Sequence, residues 1–125
     1  MDKLSTYSPL IARIFIGLFF LLAGVGKVFD IAGTAGYMAM VGLPGFLAWP
    51  ATLFEIALGL SVLLGFKIRL ASLAGAAFCI VTAVLFHNNF ADQTQMVMFL
   101  KNFSIAGAFL MFFAHGAGAV ALDKA

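Results

Sequence analysis

The stretch "ATLFEIALGLSVLLG", residues 51–65, holds one charged residue, Glu55, among fourteen uncharged ones. A run this apolar predicts a membrane-spanning helix with Glu55 close to its middle. An isolated charge at that depth costs at least about 2.5–3.5 kcal/mol on insertion scales, so a lipid-facing carboxylate is disfavoured. Glu55 is therefore expected to face the protein interior, where the other helices supply its partner.

The composition of the whole chain is that of a membrane protein. Of 125 residues, 64% are hydrophobic and only 10% are charged, and the mean hydropathy is +1.13. Soluble domains carry about 25% charged residues, so this chain is expected to use lipid as its solvent. The net charge of +2 comes from scattered basic residues, which argues against a nucleic-acid partner. The single cysteine, Cys79, excludes an internal disulfide and a CxxC redox pair.

Four apolar stretches are each close to the roughly 20 residues that cross the hydrocarbon core. They cover residues 9–29, 46–65, 69–87 and 96–114. The connection between the first two is longer and contains a short amphipathic piece, residues 34–41, read as an interfacial helix or as a lid over a cavity. The sequence thus predicts an all-α, four-helix transmembrane bundle that forms one domain over residues 1–125.

The basic residues predict the orientation of the bundle. Two lysines, Lys27 and Lys101, fall on one side of the membrane. Five basic residues flank the other side: Lys3, Arg13, Lys67, Arg69 and Lys124. An excess of Lys and Arg marks the cytoplasmic side, so both termini are expected in the cytoplasm.

Each predicted helix carries one stripe of polar or small residues at helical spacing. The first stripe consists of Arg13, Gly17, Phe20, Gly24 and Lys27, and the second of Thr52, Glu55 and Gly59. The third consists of Ser72, Gly75, Cys79 and Thr82, and the fourth of Lys101, Ser104, Ala108 and His115. Because lipid contact penalises charge, these four stripes are expected to meet inside the bundle.

Depth along the helices gathers most of the polar side chains in the outer half of the membrane. At about 1.5 Å per residue, Glu55 lies near the midplane and the others lie above it. The resulting cup is a predicted ligand site lined by Lys27, Glu55, His87, Asn88, Lys101 and Asn102. Glu55 is expected to form a structural ion pair with Arg13, with Lys27 as the alternative partner, or to be protonated and hydrogen-bonded.

Neither a metal centre nor a haem is predicted. No group of His, Cys, Asp and Glu has the spacing of metal ligands. The two histidines, His87 and His115, fall at opposite ends of the bundle and cannot be the axial ligands of one haem. No covalently bound cofactor is expected.

The chain resembles the DoxX family of small bacterial membrane proteins. The resemblance covers nearly the whole chain and rests on "ARIFIGLFFLLAGVGKVFD", "GYMAMVGLPG", "FEIALGLSVLLGFKIRLAS", "AVLFHNNF" and "MFLKNFSIAGAFL". It implies four membrane helices and a location in the bacterial inner membrane. Members of the family are associated with a thiosulfate–quinone oxidoreductase and with oxidative and thiol stress complexes. The family's polar positions match Arg13, Lys27, Glu55, His87 and Lys101 of this sequence.

Three functions are compatible with these features. The first is a redox accessory, at most a subunit of an oxidoreductase, whose cup holds a quinone-like aromatic molecule. The second is a membrane scaffold whose partner oxidoreductase subunit carries the chemistry. The third is a small-solute transporter or channel, although four short helices without an inverted repeat leave little room for alternating access. Self-association into a homo-oligomer stays open.

Overall fold

The computed structural model describes residues 2–123 and contains five α-helices in that range. They are α1 (Asp2–Val28), α2 (Ile31–Met40), α3 (Ala48–Leu64), α4 (Ile68–Phe86) and α5 (Gln93–His115), with a 3₁₀ turn, Gly45–Leu47, leading into α3. Four of the helices are long and apolar enough to cross a membrane, and the short α2 joins the first two. The predicted fold class, an all-α transmembrane bundle of four helices, is confirmed. Lys124, counted for the orientation, lies outside the described residues.

The bundle has two ends that differ in structure. At the α2 end, α1 and α4 finish, α3 and α5 begin, and α2 lies between α1 and α3 in the chain. At the terminal end lie the start of α1, the turn between α3 and α4, and residues 116–123 that follow α5.

Close backbone contact joins α1 to α3. A Cβ atom on Gly59 would lie 2.6 Å from the backbone nitrogen of Leu21 and 2.9 Å from the carbonyl oxygen of Gly17. Only glycine allows two membrane helices to approach so closely. The predicted stripe on α1 is buried except for Lys27, which is partly exposed, and the predicted stripe on α3 is buried throughout.

The second tight pair is α4 with α5. Gly75 of α4 makes room for the ring of Phe109, which a Cβ atom would approach to 2.7 Å. Contacts between α3 and α4 are few beside those within the two pairs. Phe20 of α1 joins the pairs through a ring contact with Phe109, 5.6 Å between centroids. The core of the bundle therefore forms where the two pairs meet.

The stripe predicted on α5 is only partly right. Ala106, Phe109 and Phe112 form the buried face, whereas Ser104 and His115 are exposed. The Ser104 hydroxyl donates to the carbonyl of Leu100 in its own helix, 2.9 Å away. Because this hydrogen bond satisfies the hydroxyl within its own helix, Ser104 does not need a partner in the bundle interior. Its polarity was therefore a wrong guide to the buried face of α5.

Arg13 does not pair with Glu55, so the expected Arg13–Glu55 ion pair is wrong. The Arg13 side chain is 1% exposed, and its Nη1 donates to the carbonyls of Val62 (3.3 Å) and Leu63 (3.1 Å). Its Nη2 donates to the carbonyl of Val120. The last carbonyls of a helix have no partner within the helix, and in a membrane they need a donor. Arg13 supplies it to α3 near the terminal end, far along the axis from Glu55.

Residues 116–123 return to the turn between α3 and α4 instead of leaving the bundle. The Asp123 carboxylate accepts hydrogen bonds from the backbone nitrogens of Lys67 (2.6 Å) and Ile68 (2.8 Å), which are free at the start of α4. The backbone nitrogen of Leu122 donates to the carbonyl of Leu64, and that of Asp123 donates to the carbonyl of Gly65; both N···O distances are 2.9 Å. The segment therefore closes the terminal end of the bundle.

Three helices begin three or more residues earlier than predicted. α1 starts at Asp2 and continues through Pro9, instead of starting at Pro9. α5 starts at Gln93 instead of Met96, because the Asp92 side chain accepts a hydrogen bond from the backbone nitrogen of Thr94 over 2.9 Å. The predicted interfacial helix is present but begins earlier, since Asp30 caps it by accepting from the nitrogen of Gly33.

Candidate functional site

A cavity of about 390 Å³ lies at the α2 end and is walled by all four long helices together with α2. Five of the six predicted ligand-binding residues line it: Lys27, Glu55, His87, Lys101 and Asn102. Most of the remaining wall is apolar, and much of it is aromatic: Phe19, Phe20, Tyr37, Phe78 and Phe86. The sequence thus identified these five polar residues of the cavity but not which of its aromatic residues form the walls.

Lys27 is the partner of Glu55. The Lys27 ammonium lies 2.7 Å from Oε1 and 2.8 Å from Oε2 of the Glu55 carboxylate. The Glu55 side chain is 7% exposed and the Lys27 side chain 39%, so the pair spans from the buried interior towards the rim. Lys27 lies in the last turn of α1, where the helix dipole favours a cation. The carboxylate in the middle of α3 is thereby neutralised across the α1–α3 contact.

Lys101 is a second cation in the cavity, without a carboxylate beside it. Its ammonium lies over the ring of Phe19, 5.0 Å from the centroid. Among residues 2–123, no hydrogen bond from this ammonium and no second ion pair is present. With the Lys27 and Glu55 charges cancelling, the cavity walls carry a net charge of +1 when His87 is neutral.

The level of Lys101 differs from the sequence expectation. Because α5 begins at Gln93, Lys101 lies roughly 12 Å along the axis from the first residue of its helix at 1.5 Å per residue. Glu55 lies roughly 10 Å along α3 from Ala48 by the same rise. Lys101 is therefore level with Glu55 at the bottom of the cavity, not above it at the mouth.

Thr52 lines the cavity and carries a buried hydroxyl without a hydrogen-bond partner in residues 2–123. The residue is 0% exposed, and its Oγ1 has no hydrogen-bond partner among the described residues. Thr52 precedes Glu55 by three residues, so the two share a face of α3. Sequence reasoning placed Thr52 on the polar stripe but not among the binding residues, although its spacing from Glu55 carried the signal.

Asn102 and His87 are held by other side chains. The Asn102 amide donates to Oγ1 of Thr82, with an N···O distance of 3.1 Å. The Thr82 hydroxyl in turn donates to the carbonyl of Phe78, with an O···O distance of 2.9 Å. His87 Nδ1 lies 3.1 Å from Oε1 of Gln95, which connects the end of α4 to the first turns of α5. These contacts fix the rim and one wall of the cavity.

Asn88 does not belong to the site. It is exposed, and its amide donates to the carbonyl of Val84 over 3.0 Å, back along its own helix. α4 ends at Phe86 with His87 as its cap, so the chain turns away before residue 88. The structure therefore does not bring Asn88 to the cavity, and its role in ligand binding stays a prediction.

The short helix α2 covers one side of the cavity. The Tyr37 ring stacks on the Phe86 ring, with 5.1 Å between centroids and 10° between planes, and Met38 is buried beneath the helix. Thr34, Tyr37 and Met38 all line the cavity. Within residues 2–123 no group of three or more His, Cys, Asp or Glu side chains is placed to hold a metal ion.

The chain is similar to known inner membrane proteins along nearly its whole length. It is 42% identical over 124 residues to the inner membrane protein YqjF of Escherichia coli strain K12, covering 99% of this chain and 95% of the relative. It is 37% identical over 123 residues to the inner membrane protein YphA of the same strain, covering 92% of this chain and 87% of the relative. No solved structure matches it significantly.

A family comparison agrees with the resemblance seen in the sequence. The profile of the DoxX family matches residues 8–88, which include most of α1, all of α2 to α4 and most of the cavity wall. The matched region is more than half of the chain. This protein is an integral inner membrane protein that belongs to the DoxX family.

Proposed function

We propose that the protein binds a small, flat, largely apolar molecule with polar oxygens, of the quinone type, in the cavity at the α2 end. In this role it serves as a membrane accessory of redox metabolism, presenting or sequestering the molecule for a partner enzyme. The proposal rests first on the chemistry of the cavity walls and second on the donors that face into it.

The walls of the cavity suit an aromatic ring. Small-molecule pockets are typically about 300–1,000 Å³, mostly apolar, with a few convergent polar groups, and a volume of about 390 Å³ lies in that range. Phe19, Phe20 and Phe78 offer ring faces and edges for offset stacking. A flat ring would therefore replace lipid or water contacts with aromatic contacts on more than one side.

The unpartnered Thr52 hydroxyl is the observation that carries the proposal. A buried hydroxyl without a hydrogen bond costs about 1–3 kcal/mol. Because Thr52 is 0% exposed, a ligand oxygen would recover that free energy only after a small side-chain movement that turns the hydroxyl into the cavity. The Lys101 ammonium provides a second donor in the same cavity, and a quinone carbonyl is an acceptor without a proton to donate. The donors thus match the carbonyl oxygens of a quinone in kind.

Two alternatives make different demands on the interior. A transport path would need an opening that continues from the cavity through the bundle, but the interior towards the terminal end is packed with Leu58, Val62 and Phe109. A scaffold subunit would need only the Lys27–Glu55 pair to hold α1 against α3, which the structure supplies. The scaffold is therefore the second candidate, and it predicts no ligand in the cavity.

A binding titration separates the two. Trp49 is the only tryptophan and lies in the first turn of α3, near the cavity, so its fluorescence can report a quinone. Purified protein in detergent is titrated with a short-chain ubiquinone or menaquinone, using the Thr52→Val and Lys101→Met variants. Ser72→Ala is the matched control, because Ser72 Oγ is also buried and unpartnered but does not line the cavity.

The expected result is saturable quenching that weakens about 2- to 10-fold in Thr52→Val and at least 10-fold in Lys101→Met. Ser72→Ala should bind as the unchanged protein does. If quenching does not saturate, or saturates equally in all variants, the binding proposal fails and the scaffold becomes the better account.

A further inference from the structure

We infer that a second cavity, at the terminal end, is a binding site for the phosphate headgroup of an anionic phospholipid. This cavity has a volume of about 460 Å³ and lies between the start of α4 and the end of α5. Its walls include Lys67, Arg69 and His115, and residues 116–118 close one side. It is separate from the cavity described above, at the opposite end of the bundle.

The free charges of this cavity are positive. Lys67 and Arg69 contribute two positive charges and Asp123 one negative charge, which leaves +1 with His115 neutral. Both Asp123 oxygens already accept from the backbone nitrogens at the start of α4. The carboxylate therefore caps the helix, and the cationic side chains are left to attract an external anion.

Arg69 is held in place with donors to spare. Its Nη1 donates to the carbonyls of Phe113 (2.8 Å) and Ala114 (3.4 Å), which fixes the guanidinium at the end of α5. Its Nη2 and Nε donate to no other described residue. Gly116, which has a positive φ of +82°, lies next to the Arg69 guanidinium and has no side chain to cover it. Even a Cβ atom at this position would lie 3.6 Å from Nη2. A planar guanidinium with free donors is the preferred partner of a phosphate group.

Apolar side chains next to the cavity point to a lipid and not to a soluble phosphate. Leu70 forms part of the wall and is 68% exposed. One turn deeper on the same helix faces lie Leu73 and Met111, which are 50% and 60% exposed. An acyl chain that runs from the headgroup into the bilayer would cover these side chains. With the predicted orientation, this end lies at the cytoplasmic leaflet, where anionic lipids attract basic segments.

The test measures lipid binding to detergent-purified protein by native mass spectrometry. The probes are phosphatidylglycerol, phosphatidylcholine with the same acyl chains, and glycerol 3-phosphate, which has the headgroup chemistry without the chains. The test variant is Lys67→Gln/His115→Gln, since both side chains are exposed and donate no hydrogen bond among the described residues. Lys3→Gln, an exposed cation at the same end but outside the cavity, is the control.

We expect phosphatidylglycerol to bind at least about fivefold more tightly than phosphatidylcholine, and this preference to be lost in the double variant. Lys3→Gln should change the affinity less than twofold. Equal binding of the two lipids, a preference that survives in the double variant, or an equal loss in Lys3→Gln would overturn the inference. Binding of glycerol 3-phosphate as tight as that of the lipid would show a soluble-anion site and would also overturn it.

Discussion

The Lys27 ammonium lies 2.7 and 2.8 Å from the two carboxylate oxygens of Glu55, and this pair joins the last turn of α1 to the middle of α3. The helices already touch through backbone at Gly17 and Gly59. The pair extends that contact towards the α2 end and forms one wall of the cavity. It also allows a carboxylate to exist deep in a membrane helix, since the opposite charge reaches it from the rim.

The effects of substituting Lys27 and Glu55 on the free energy of unfolding should be coupled, because the two side chains form an ion pair. Glu55→Gln should cost less stability than Lys27→Ala, because glutamine keeps hydrogen bonding while loss of the lysine strands a buried charge. Breaking a fully buried pair costs about 3–5 kcal/mol, and the partial exposure of Lys27 should lower this value. A double-mutant cycle by thermal unfolding in detergent measures the coupling.

The matched cycle uses Arg13→Lys with Glu55→Gln, which should show no coupling because these side chains do not meet. Coupling of Arg13 but not of Lys27 to Glu55 would contradict the structure.

Arg13 should be sensitive to a change that keeps its charge. Arg13 reaches the carbonyls of α3 through Nη1 and that of Val120 through Nη2, and Arg13→Lys retains the cation but replaces this fork with a single nitrogen on a shorter side chain. We expect a loss of about 1–3 kcal/mol in the free energy of unfolding, the cost of leaving buried carbonyls without a donor. Arg69→Lys, at an exposed guanidinium, is the comparison and should cost clearly less. An equal loss of unfolding free energy in Arg13→Lys and Arg69→Lys would show that the contact of Arg13 with three carbonyls adds nothing to stability.

The α1–α3 contact should not tolerate a methyl group at Gly59. The added Cβ would lie 2.6 Å from a backbone nitrogen, which cannot move aside as a side chain can. Overpacking of this kind typically costs about 1–3 kcal/mol. Gly107→Ala, where nothing lies within 4 Å of the new Cβ, should be neutral or gain stability. Unfolding curves that are unchanged for Gly59→Ala would mean that the helices are farther apart.

The sequence was sufficient for the architecture, because the length and apolar character of each span carry that information directly. It was also sufficient for the buried faces of α1 and α3, where glycines and charges share a stripe. The partner of Arg13 was not predictable, since main-chain carbonyls leave no mark in a residue pattern. The same reason hid the return of residues 116–123, which is held mainly through backbone groups.

The candidate site was predictable in its polar groups but less so in their positions. Lys101 was placed too high because the start of α5 was set at the first strongly apolar residue, while the Asp92 cap sets it earlier. The exclusion of Asn88 depends on where α4 ends within one residue, and boundaries are the least certain feature of a sequence pattern. Aromatic wall residues could not be told from lipid-facing ones among fifteen phenylalanines.

The orientation of the bundle stays a prediction and can be tested by labelling. In a Cys79→Ala background, Ser5→Cys reports the start of α1 and Ala91→Cys reports the loop before α5; both positions are exposed. With both termini in the cytoplasm, a membrane-impermeant maleimide should label Ala91→Cys in intact spheroplasts and Ser5→Cys only after lysis. The reverse pattern would invert the topology and the leaflet assigned to each cavity.

Photoaffinity labelling shows whether a quinone-type molecule occupies the cavity at the α2 end. An azidoquinone is photolysed with the purified protein, and the modified residues are identified by mass spectrometry, with and without excess unlabelled quinone. The account predicts labelling within the cavity wall, at residues such as Tyr37, Phe78 and Met98, that the competitor removes and Lys101→Met reduces. Labelling confined to lipid-facing residues such as Leu22 and Leu110, unaffected by the competitor, would contradict it.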